Sequence, residues 1–157
     1  MGIRKRKEQD MANETITSYY ETDHDRLDRL FRDFQENKRK DFTQAKPFFR
    51  EFNLGLKRHI VWEEEILFPL FETKTGQQNS GPTTVMRFEH LKIKEALEKV
   101  HAKVRNQDPN SDVEETELLG ILKEHNIKEE QILYPMIDRL ISEDDRKKVF
   151  SDRASVP

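Results

Sequence analysis

The sequence contains no cysteine among its 157 residues. Disulfides, thiolate zinc sites, iron–sulfur clusters and thiol nucleophiles are thereby excluded. Long apolar runs are missing as well: the longest, Ile66 to Phe71, is six residues and is interrupted by Pro69. A membrane span needs about 18. Glycine-rich phosphate loops and nucleophile constellations are lacking too. A net charge of −3 gives no electrostatic reason to expect nucleic acid. The basic cluster Arg4-Lys5-Arg6-Lys7 has no apolar stretch behind it, so it is not a secretory signal and reads as part of a solvated, flexible leader over residues 1–12. A cytoplasmic protein without a membrane or nucleic-acid partner is the expectation.

What the chain has instead is charge, at 38% of residues against 34% hydrophobic. Leu, Ile, Val and Phe still make up about a quarter of it, above the ~20% below which a core fails. Abundant charge around a modest apolar supply suits amphipathic helices that bury one stripe each. A parallel sheet is disfavoured, because its strands read as continuous apolar runs.

Four such stripes can be traced. Ile16, Tyr20, His24, Leu27, Phe31 and Phe34 recur at steps of three and four, the period of a helix with one inward face. After a polar break at Asn37 to Lys40, Thr43 is placed to cap a second helix, with Pro47 inside its first turn. That stripe runs Phe48, Phe52, His59, Glu63, Ile66 or Leu67, and Leu70. Thr73 to Pro82 reads as a loop. A third helix carries Met86, His90, Ile93, Leu97, Val100 and Val104. Ser111 and Glu114 read as a capping box ahead of a fourth, carrying Leu118, Ile121 or Leu122, His125, Glu129, Ile132 or Leu133, and Met136. The fold class expected is all-α: an antiparallel up-down-up-down four-helix bundle over residues 13–141. Ser142 with its three acidic followers opens a short terminal helix in 142–157.

Histidine enters the apolar stripe once per helix, at positions 24, 59, 90 and 125, and both pairs 24/90 and 59/125 are 66 apart. The same offset superimposes His59-Ile60-Val61-Trp62-Glu63-Glu64-Glu65-Ile66-Leu67-Phe68-Pro69 on His125-Asn126-Ile127-Lys128-Glu129-Glu130-Gln131-Ile132-Leu133-Tyr134-Pro135. Both read H-x-x-x-E-E-x-I-L-aromatic-P. Two helical hairpins related by a pseudo-two-fold axis account for the repeat, each delivering the same side chains to a shared centre.

In H-x-x-x-E the two side chains stand one turn apart on one helix face. Two buried glutamates facing each other repel, and an uncompensated buried charge is costly. Cations among the carboxylates remove the difficulty, with neutral imidazoles completing the coordination. The candidate metal ligands are therefore His24, His59, Glu63, His90, His125 and Glu129. Six ligands with internal two-fold symmetry suit two metals, and a thiolate-free imidazole–carboxylate set favours iron or manganese, with zinc compatible.

The order H … H-x-x-x-E … H … H-x-x-x-E, with Leu-aromatic-Pro after each glutamate, resembles the hemerythrin family and its bacterial HHE cation-binding relatives over about residues 15–140. That resemblance implies a four-helix bundle holding two iron ions with an oxo or hydroxo bridge. His24 and His59 would ligate one iron, His90 and His125 the other, with Glu63 and Glu129 bridging. The partners implied are dioxygen or another diatomic or peroxide ligand. The functions implied are oxygen sensing or storage, or defence against oxidative or nitrosative stress. A di-iron oxidase or peroxidase, an iron-centre repair factor and an iron-handling protein are the alternatives.

The chain departs from the oxygen carriers in two places. The position four after the third-helix histidine is Lys94 rather than histidine, and the last bridge is Glu129 rather than an aspartate at longer spacing. Each metal then keeps an open position. A ferritin-like Glu-x-x-His reading fits only Glu21–His24. Lys94 either enters the pocket or extends to solvent, the latter expected. Asp23, Glu89, Glu64 and Glu130 either support the imidazoles or are solvated. Gly55 either leaves room for a ligand or allows close helix packing, Trp62 is a core aromatic, and His101 lies on the surface at a helix end.

Overall fold

The computed structural model describes residues 14–157, and every element among them is helical. The expected leader over 1–12 lies outside the described residues. Helix α1 is Ile16–Asn37 and α2 is Phe42–Val61. The second rod continues without a break through a π-helical segment, Trp62–Leu67, into α3, Phe68–Thr75. Helix α4 is Pro82–Arg105. The fourth rod repeats the second: α5, Asp112–Lys128, passes through a π-helical segment, Glu129–Leu133, into α6, Tyr134–Leu140. The terminal helix α7, Glu143–Ala154, is opened by Ser142 in a capping box with Asp145.

Helix α1 packs on α2 and α4 on α5, while α2 meets α4, α3 meets α4 and α6, and α6 returns to α1. Two apolar cores result. One gathers Phe31, Phe34, Phe52, Leu97 and Leu118, and the other gathers Ile16, Trp62, Phe71, Tyr134 and Phe150. On every rod the stripe histidine falls between the two: His24 separates Tyr20 from Leu27, and His90 separates Met86 from Ile93. The histidines thus form one polar layer across the molecule with a dry core on either side.

Several local expectations are revised. Asp41, not Thr43, caps α2, accepting from the Gln44 N–H. Helix α2 therefore begins at Phe42, and Pro47 lies one turn deeper than its first-turn placement; it removes the bond to the Thr43 carbonyl. Ser111 precedes α5 but makes no capping bond. Its hydroxyl donates instead to the buried Glu115. Leu67 and Leu133 are the buried members of their pairs, and Ile132 is exposed.

Candidate metal centre

The two π segments begin where the chemistry sits. Glu63 is the second residue of one and Glu129 the first of the other. In each, the glutamate carbonyl accepts from the N–H five residues on, Phe68 or Tyr134. The cause is the proline that follows. Pro69 and Pro135 have no N–H and their rings crowd the carbonyl four residues back, so the rod survives by widening one turn.

All four histidines aim Nε2 inward. His24 and His59 meet at 3.1 Å. His24 Nε2 is 3.4 Å and His125 Nε2 3.1 Å from Glu129 Oε1. His90 Nε2 is 3.2 Å and His59 Nε2 3.6 Å from Glu63 Oε1. Both glutamates are wholly buried. Two overlapping groups offer donor atoms within 4.8 Å of one another: Glu63, His90, His125 and Glu129, and His24, His59 and Glu129. All six sequence-derived candidates are brought together, with Glu129 shared.

Outward, each Nδ1 meets one carboxylate. Asp23 faces His59 at 2.8 Å and Glu89 faces His125 at 2.9 Å. Glu64 faces His90 at 2.6 Å and Glu130 faces His24 at 3.3 Å. The four carboxylates obey the 66-residue offset, 23 with 89 and 64 with 130. Asp23 and Glu89 thus serve the histidine of the neighbouring rod rather than the one beside them in sequence. Glu64 and Glu130 do rotate away from their own rod's histidine, and so reach the next rod's. An Nδ1–H donating to carboxylate fixes the tautomer that leaves Nε2 with a free lone pair.

The acidic and basic groups of this layer shift one another's protonation. Burial works against the imidazolium of His24, but Glu129 and Glu130 overrule it and push its pKa up to about 10. Burial likewise opposes His90, and Glu63 and Glu64 raise it to about 9. His125 also rises despite burial, through Glu129. Burial and the charge of Glu129 push Glu63 up. Burial opposes ionisation of Glu129 too, yet the charge of His125 and the other groups crowded around it hold it well below the ordinary range. The two carboxylates are pushed in opposite directions, as expected when two share a buried site.

The residues present fit a metal. Both oxygens of Glu129, Oε1 of Glu63 and Nε2 of His90 are buried and make no hydrogen bond, although imidazole and carboxylate atoms approach within 3.6 Å. Unsatisfied buried acceptors are costly, and a cation at the centre would satisfy them together. The hemerythrin HHE cation-binding domain model matches residues 15–137.

The chain belongs to the hemerythrin HHE family.

It is similar to an uncharacterized hemerythrin-like protein of Schizosaccharomyces pombe, 32% identical over 121 residues, which cover 74% of this chain and 58% of that one. It is also similar to iron-sulfur cluster repair protein YtfE of Escherichia coli O81 and of Musicola paradisiaca, 35% and 34% identical over 89 residues, 51% of this chain and 40% of theirs. The chain thus spans about half the length of the curated relatives it matches. No solved structure matches it.

Within this hemerythrin-like layer the open choices resolve. Lys94 is exposed and does not enter the pocket. Glu21 is exposed and far from ligation. Gly55 serves close packing: a Cβ there would stand 2.8 Å from Leu27 Cδ2. Trp62 is buried in the core and His101 packs on Phe49 at the far end. One functional residue went unseen in the sequence. The Tyr134 hydroxyl donates to Glu63 Oε2 at 2.8 Å and lies 3.3 Å from His59 Nε2. Its twin, Phe68, stacks on His90 with ring centroids 5.7 Å apart. The repeat itself held the signal, since the one difference between the two aromatic positions is a hydroxyl.

Proposed function

We propose that this hemerythrin-family chain is a non-haem di-iron protein that binds dioxygen, nitric oxide or peroxide, for oxygen sensing or storage or in the response to oxidative or nitrosative stress. The two hairpins form an antiparallel up-down-up-down bundle ending near residue 141, with α7 appended. His24 and His59 would hold one iron and His90 and His125 the other, with Glu63 and Glu129 supplying carboxylate oxygens to both. The observation that carries this reading is the convergence of four Nε2 atoms on two buried glutamates, each Nδ1 being tied to a carboxylate.

Iron held here would supply electrons and Lewis acidity toward a small ligand. The chain's own residues do the rest. Asp23, Glu64, Glu89 and Glu130 hold the Nδ1 protons and orient the rings. Tyr134 holds a proton on its hydroxyl against Glu63 Oε2, fixing that carboxylate's rotation. Leu27, Phe52, Leu56 and Ile93 wall a cavity of about 10 Å³ beside the imidazoles, which has room for about one water-sized molecule.

A second reading, repair of damaged iron centres, is favoured by the similarity to the repair proteins. It differs in that iron would have to leave the site. Metal analysis and an absorption spectrum of protein made in iron-rich medium test both. Two irons per chain and a near-ultraviolet charge-transfer band that responds to azide are expected. His59→Ala and His125→Ala lower metal content and His101→Ala does not; equal losses in all three would overturn the ligand set. Iron that stays bound under mild chelation favours ligand binding over repair.

A further inference from the structure

The cavity beside the imidazoles shares four wall residues, His24, Asp28, Leu122 and Asn126, with a larger groove of about 420 Å³ on the outer face between α1 and α5. Of the four shared wall residues Asp28 and Asn126 are the two polar ones outside the histidine layer, and they stand on the wall of both spaces. The groove carries three carboxylates, Asp25, Asp28 and Glu130, against two cations, Arg32 and Lys123. Glu130 at its inner end already contacts His24 Nδ1.

The internal repeat supplies a control within the same molecule. At an offset of 66, Asp28 corresponds to Lys94, Asn126 to Ile60 and Asp25 to Leu91. Ile60 is 2% exposed and lines the same inner cavity, while Lys94 is exposed. The flank between α4 and α2 thus has an apolar plug and a cation where the flank between α1 and α5 has an amide and a carboxylate. A hydrated cation shedding water needs oxygen atoms along its path, because burying it bare is prohibitive. Asp28 and the Asn126 carbonyl provide them; Ile60 does not, and Lys94 repels the ion.

We propose that a divalent cation reaches the centre through the α1–α5 groove, with Asp28 and Asn126 as its doorway, and that the twin flank is closed by Ile60 and Lys94. This rests on the metal-centre reading above and adds its route. Carboxylates lining a cleft focus the field and raise the local cation concentration, so the doorway governs the rate of loading rather than the final affinity.

The test is Co²⁺ uptake by the metal-free full chain, followed by stopped-flow absorption. Asp28→Asn is expected to slow uptake about tenfold, the low end of electrostatic focusing, with final Co²⁺ content unchanged. The slowing should shrink as salt rises, because screening already weakens the wild-type attraction. Asn126→Ile, which installs the twin's residue, is expected to slow uptake as well, and Lys94→Asn to leave it unaltered. Should Asn126→Ile fail to fold, the exposed Asp28→Asn decides alone. Identical rates in wild type and Asp28→Asn overturn the doorway while leaving the metal centre standing. A wild-type protein that takes up no Co²⁺ defeats the metal-centre reading itself.

Discussion

Tyr134 breaks the symmetry of the centre with a single oxygen atom. Its hydroxyl satisfies Oε2 of a wholly buried glutamate whose other oxygen has no hydrogen bond, and burial with the nearby Glu129 and Glu63 charges keeps the phenol protonated. Tyr134→Phe, which copies the twin position at Phe68, removes that donor without changing the ring. Leaving a buried acceptor unpaired costs about 1–3 kcal/mol, so urea denaturation of the metal-free variant should show a loss of that order. Metal loading should abolish most of the difference, since a Glu63 that ligates metal through both oxygens would no longer leave one unpaired. An equal loss in both forms would mean that Tyr134 acts through packing alone.

At the scale of elements, a buried ion pair ties the end of α1 to the start of α5. Lys38, 3% exposed, places Nζ 2.5 Å from Glu115 Oε2 and 2.5 Å from Asp112 Oδ1. Gln35 and Ser111 complete the shell around Glu115. The sequence reading left Lys38 in a polar break, yet the repeat marks its burial: the twins of Lys38 and Glu115 are Val104 and Phe49, both core residues. Removing one partner of a buried pair strands the other, at about 3–5 kcal/mol. Lys38→Met should lower the denaturation midpoint accordingly. Lys38→Met with Glu115→Leu should recover much of the loss, while metal content, set at the other side of the core, stays constant. A double variant as unstable as the single one would show that the charges are not what the site needs.

For the whole molecule, the protons held in the metal-free layer set the pH dependence. His24 and His90 titrate near 10 and 9 against 6.5 unfolded. Because those pKa values are raised, the stability they contribute is complete below about pH 6.5 and drains away as pH rises through 9 to 10. Asp23, Glu64 and Glu89 are lowered: burial opposes the Asp23 and Glu89 carboxylates but their cationic partners prevail, and a hydrogen bond with His90 lowers Glu64. Their contribution stands above the ordinary carboxylate range and is lost as pH falls below it. The metal-free melting temperature should therefore peak at about pH 5–6.5 and fall through the alkaline range. Metal ligation needs the imidazoles neutral and releases their protons, so the loaded protein should not show the alkaline fall. A metal-free protein that gains stability above about pH 7 would contradict the proton inventory.

The sequence by itself determined the helical class, the four stripes and the six histidines and glutamates that converge between the rods. Those follow from periodicity and from a repeat whose copies annotate each other, and periodicity is a property of adjacent turns. It did not determine the π turns, because a widened turn depends on how a rod accommodates Pro69 and Pro135 within a packed core. Nor did it assign Asp23 to His59 or Glu64 to His90, since those bonds pass between rods, and one rod's surface does not say which neighbour it faces. The placement of Asp28 and Asn126 belongs to the same class: they stand on different rods, and only the tertiary structure puts both on the wall of one cavity and one groove.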